Sequence, residues 1–139
     1  MTALARDLAA KRYGNSARPA LIPLIPVAAD TKIFAGALVG INSSGNALPA
    51  GASGVARIVG VAIAQADNTG GSAGDVKVRV ERGAFLFTPD GSAPPRAQEV
   101  GATVYAVDDQ TVTRSSSGTI AVGTFLGFED TLAIVQVGV

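Results

Sequence analysis

At 139 residues the chain is long enough to bury a core of its own without disulfides or metals. It contains neither Cys nor His, which removes disulfide frameworks, thiolate chemistry and the usual base of nucleophilic catalysis. The formal charge is zero and only 16% of residues are charged. Phosphate binding needs a basic excess, so nucleic acid is not the expected partner, and much uncharged surface is left for protein contact.

Taken in chain order, the opening MTALARDLAAKRYG has Leu4, Ala5 and Leu8 at helical spacing, with Gly14 and Asn15 as a stop. It reads as a short helix or an extended arm, because so short a helix needs a partner surface. Early Arg6 and Asp7 and the lack of an apolar stretch argue against a secretory leader. Cytosolic synthesis is therefore expected. No apolar run reaches membrane-span length. RPALIPLIPVAAD follows, where Pro19, Pro23 and Pro26 impose an extended or edge-strand course. Its Leu21, Ile22, Leu24 and Ile25 need covering by the domain or by a neighbouring chain.

From Lys32 onward the pattern is strands and turns. KIFAGALVGI reads as a strand pair broken at Gly36 and Gly40, closed by the turn Asn42 to Asn46. ARIVGVAIAQA is a second apolar run, and ADNTGGSAGD a loop with little side-chain bulk. In DVKVRVERGAFLF, Val76, Val78 and Val80 alternate with Lys77, Arg79 and Glu81. After Gly83 the apolar parity moves to Phe85 and Phe87, the mark of a bulge or barrel corner. A Pro/Gly-rich loop leads to GATVYAV, a turn at Asp108-Asp109-Gln110, and TVT. TIAVGTFLGF then places Ile120, Val122, Leu126 and Phe128 on one face, before a last strand, LAIVQVGV. The expected fold is all-β, a small barrel or sandwich of short strands: an N-terminal arm over residues 1–18 and a single β-domain over 19–139.

Candidate chemistry is sparse. Adjacent Asp108 and Asp109 would face opposite ways in a strand, so they read as turn residues and not as a carboxylate pair. Ser115, Ser116 and Ser117 read as a solvated turn. Asp67, Asn68, Thr69 and Asp75 could offer oxygens to Ca²⁺, but the spacing does not fit a calcium loop and no bidentate Glu is present. GGSAGD has the glycines of a phosphate loop but is followed by strand, with no Lys-Ser/Thr pair. Lys77, Arg79 and Arg82 read as the wet face of a sheet. No catalytic residue, cofactor or metal is assigned. The charge asymmetry points elsewhere: residues 1–18 hold four basic residues against one acid, a net +3, while the rest holds seven against ten, a net −3. The expected partner-binding residues are Arg6, Lys11, Arg12, Tyr13 and Arg18, with Leu21, Ile22, Leu24 and Ile25.

The order IFAGALVGINSSGNALPA, IVGVAIAQADNTGGSAGDVKVRVERGAFLF, VGATVYAVDDQTVT and AVGTFLGF resembles the capsid cement (head decoration) proteins of tailed phages over roughly residues 27–139. The most specific stretch runs from Gly60 to Phe87. The resemblance implies a barrel-like domain that assembles as a homotrimer on the capsid exterior. There it binds the major capsid protein and bridges neighbouring shell subunits. It implies no enzyme, no nucleic-acid or membrane partner, and localisation in the virion. Removing residues 1–18 is expected to weaken capsid binding while the β-domain stays folded. The alternatives are a virion-displayed carbohydrate- or cell-surface-binding module, another virion part such as a tail or head-completion protein, and, weakly, a small barrel enzyme.

Overall fold

The computed structural model describes residues 3–10 and 23–138, and these form an all-β protein. Its first half is a set of short strands layered around Val and Ala side chains. Strand β1 (Ile25–Pro26) pairs antiparallel with β7 (Lys77–Val78), and β2 (Thr31–Ile33) with β6 (Ala66–Asn68). Strands β3 (Leu38–Ile41), β4 (Ala47–Pro49), β5 (Arg57–Ala62) and β8 (Val80–Glu81) form a four-stranded antiparallel sheet in the order β4-β3-β5-β8. Gly36 breaks β2 from β3 as expected. Gly40 does not end a strand; it sits inside β3, where the pairing with β5 shifts register.

The second half closes on itself. Strands β9 (Gly83–Pro89), β10 (Thr103–Ala106), β11 (Thr111–Thr113), β12 (Ile120–Glu129) and β13 (Leu132–Val137) form a closed five-stranded barrel in the order β10-β11-β9-β13-β12. All pairs are antiparallel except β11 with β9. A 3₁₀ turn, Ala97–Glu99, lies in the Pro-rich loop. Glu99 bonds back to the Arg96 backbone N–H at 2.8 Å and to its guanidinium at 3.1 Å. That side-chain bond comes first in holding the Glu99 carboxyl below its usual range.

The parity change at Gly83 marks the place where the chain leaves one half for the other. Val78 and Val80 are buried among the layered strands, whereas Phe85 and Phe87 are buried in the barrel. Gly83 takes φ +147° between them, a conformation L side chains avoid. The sharp bend lets one continuous alternating sequence feed two sheets.

Two apolar clusters result. One is the barrel core, with Phe85, Phe125, Val104, Val112, Val122 and Val135; the other is the layered core, with Val27, Ile33, Val39, Val59, Val78 and Val80. The sheet containing β3 and β5 lies between them. Leu38 and Val61 face the barrel core, and Val39 and Val59 face the layered core. This double burial explains why IVGVA reads as an unbroken apolar run: a strand covered on both faces has no polar side to alternate with.

One expectation fails in β12. Leu126 and Phe128 are not on the inner face with Val122; they are 43% and 41% exposed, and the fully buried residue is Phe125. The register of β12 against β13 shifts between Phe125 and Gly127. The inward parity changes earlier, between Val122 and Phe125, where the pairing of β12 with β10 shifts register opposite Ala121 to Gly123. Asp67 and Asn68 also differ from expectation: they belong to β6 and not to an irregular loop.

Candidate functional site

Residues 3–10 form no helix; they run extended, with a bend, as a strap across the seam between the two halves. Among the described residues, five hydrogen bonds fix the strap. The Leu8 N–H donates to the Ala35 carbonyl at 2.9 Å, and the Ala35 N–H donates to Asp7 Oδ1 at 3.0 Å. Gln65 Nε2 donates to both Asp7 oxygens at 2.9 Å. The Leu4 N–H donates to Asp109 Oδ1 at 2.9 Å. Leu4 packs against the layered core and Ala10 against the barrel core. The strap thus belongs to both halves.

Gly36 makes the close approach possible. It has φ +87°, and a Cβ placed there would lie 2.7 Å from the Leu8 carbonyl oxygen. Beneath Leu8 and Ala9 only a crevice of about 20 Å³ remains between Val61 and the Phe85–Phe87 segment, room for about one water.

Asp109 is the group that sequence reasoning missed. Asp108 does behave as a turn residue, its Oδ1 accepting the Gln110 N–H at 2.9 Å. Asp109 is only 3% exposed. Its carbonyl accepts the Leu38 N–H at 2.8 Å, tying the turn to β3 while its side chain holds the strap. Burial pushes the carboxyl up from its ordinary value; the Leu4 N–H pulls it down, and the charge of Asp108 adds to the rise. The sequence carried no signal for this, because adjacent aspartates in a turn look alike until one is covered.

Among the expected contact residues, Arg6 is exposed on the strap, beside Leu4 and Gln110. Leu24 is 48% exposed. Ile25 is half-buried, its main chain paired with Val78 and its side chain packed on the same cluster as Leu4. It therefore helps close the core and is not a free contact. Lys11, Arg12, Tyr13, Arg18, Leu21 and Ile22 lie outside the described residues. The exposed apolar surface of the barrel was not foreseen: Val100, 56% exposed, follows the 3₁₀ turn next to β12, where Gly101 and Ala102 pair with Phe125, and Leu126 and Phe128 stand on β12 itself. Phe128 meets Phe125 edge-to-face at 5.2 Å between centroids.

The Asp67–Asp75 loop uses its oxygens internally. Asp67 Oδ1 accepts from the Thr69 hydroxyl at 2.5 Å and the Thr69 N–H at 3.0 Å, which lowers its pKa. Asp30 Oδ1 accepts the Gly70 N–H at 2.8 Å, and Asp75 Oδ2 the Ser72 N–H at 2.9 Å. Buried Asn68 donates to the Ala28 and Ser72 carbonyls at 3.0 and 2.9 Å. These are turn-forming bonds. Among the described residues no group of three or more metal-ligating side chains gathers, and no helix is long and apolar enough to cross a membrane. Compared with models of known protein families and with curated protein sequences, the chain matches none.

Proposed function

We propose that the protein is a structural virion component that binds the outer surface of a tailed-phage capsid as a homotrimer and stabilises the shell by bridging major capsid protein subunits. The observation that carries this reading is the exterior. Large apolar side chains, Leu24 near the first strand and Val100, Leu126 and Phe128 on the barrel, are exposed in a chain with only 16% charged residues. Because the barrel is closed, its strands offer no free edge for pairing, so these side chains supply the contact there. The resemblance to cement proteins, over residues 27–139, spans both halves of the fold and adds to this reading.

A protein that binds the assembled shell and not loose subunits shifts the equilibrium towards the shell by mass action. Three linked copies multiply a weak contact through effective concentration. At about 25 cal/mol per Å² of apolar area, exposed Leu and Phe side chains suffice once several engage together. Arg6 and the other basic residues of the first eighteen would orient the chain on an acidic shell and make binding salt-sensitive.

Density-gradient sedimentation of capsids from the native source, mixed with the purified chain, tests the proposal. Co-migration with shells at near-lattice stoichiometry, reduced by Phe128→Lys, is the expected result. A chain that stays at the top of the gradient at every protein concentration would overturn it.

A further inference from the structure

The strap covers a carboxylate. Asp109 is 3% exposed and accepts the Leu4 N–H, and no ion pair to it occurs among the described residues. A buried carboxylate without a counter-charge is costly, and its protonated form is much less so. We propose that residues 3–10 are a proton-responsive strap, closed most firmly when Asp109 is protonated and loosened when it ionises. This goes beyond the proposed function and does not depend on it.

The surroundings support the sign. Asp108 faces Asp109 from the same turn and repels its charge. Lys32 of β2 borders the same depression, but its ammonium lies over the Phe34 ring, 4.9 Å from the centroid. The other neighbours are uncharged: Phe34, Pro49, Ala50, Gly51 and Ala52 line the depression, and Leu38 of β3 donates its N–H to the Asp109 carbonyl. On the strap itself are Arg6 and Asp7. Arg6 is exposed, and Asp7 bonds to Ala35 and Gln65 at the other end of the strap. In the closed state burial raises the Asp109 carboxyl above its ordinary value. When the strap lifts, water reaches the group and that rise is lost. A raised closed-state pKa means that protons favour closing. The extra hold is fully present below the ordinary aspartate range and disappears as pH rises through the closed-state value. Asp7 is an independent acceptor, and a test must separate the two.

Amide hydrogen exchange of the full chain, followed by NMR from pH 7 to pH 4 and corrected for intrinsic rates, does so. The probes are the Leu8 and Ala35 amides, which span the strap contact, with Val135 in the barrel as an internal control. Strap protection should rise by at least about twofold as pH falls, because a raised closed-state pKa makes protons favour closing. Val135 should not follow. Asp109→Asn keeps an oxygen for the Leu4 N–H and should fix protection at the high value throughout. Asp7→Asn should lower protection at every pH yet keep the slope. A flat or falling wild-type profile, an unchanged slope in Asp109→Asn, or a parallel response of Val135 would overturn the proposal.

Discussion

The barrel and the layered sheets reach a folded state by different means. In the barrel every strand is paired on both sides, and the interior holds two fully buried Phe rings, Phe85 and Phe125. In the layered half several strands are only two or three residues long, and the core is Val, Ile and Ala. What the short ladders lack is supplied by Asx side chains, which satisfy loop backbone groups at Asp30, Asn42, Asp67, Asn68 and Asp75, and by the strap. The barrel's stability therefore resides in ring closure and bulk, and that of the layered half in many small polar and close-approach contacts. Regions of the second kind open locally at lower free energy.

The comparison can be broken first at its strongest point. Phe125→Ala leaves a cavity in the barrel and should cost about 3–5 kcal/mol, read as a lower urea midpoint with cooperativity retained. Removing residues 1–10 takes away the packing of Leu4 and Ala10 and the partners of Ala35 and Asp109. The domain should still fold, but with about 1–3 kcal/mol less stability, so the first residues contribute to stability as well as to any contact with a shell. A truncation as stable as the full chain would show that the strap is incidental. Gly36→Ala places a Cβ against the Leu8 carbonyl at positive φ and should cost about 1–2 kcal/mol. Its signature is lost protection at Leu8 with barrel amides unmoved. The smallest effect should come from Phe128→Lys. Phe128 is 41% exposed and gives up its edge-to-face contact with Phe125, about 0.5–1.5 kcal/mol, so its thermal midpoint shifts little, and weaker co-sedimentation with capsids then reports contact and not folding.

The sequence made the two halves unequally legible. Alternation in Val76, Val78 and Val80, the parity change at Gly83 and the unbroken IVGVA run all follow from local periodicity, and the structure uses each of them. Leu126 and Phe128 defeated the same reasoning, because the register shift before Phe125 answers to the curvature of a closed ring and not to its own neighbours. The strap was misjudged in part for a related reason. Leu4, Ala5 and Leu8 fit a helix as well as any short run does. Main-chain partners at Ala35 and a side-chain partner at Asp109, all remote in sequence, hold the segment extended. Asp109 itself could not be told from Asp108 until Leu4 lay over one of them.

Synthesis order gives the Leu4–Asp109 bond a further consequence. The two residues are 105 apart in the chain, so the strap leaves the ribosome long before its acceptor exists. At about 5–20 residues per second the interval is roughly 5–20 s. During it the first segment has only its earlier partners, Ala35 and Gln65, to hold, and those emerge sooner. The strap is therefore docked in two stages, first on Ala35 and Gln65 and then on Asp109, which follows Leu4 by 105 residues.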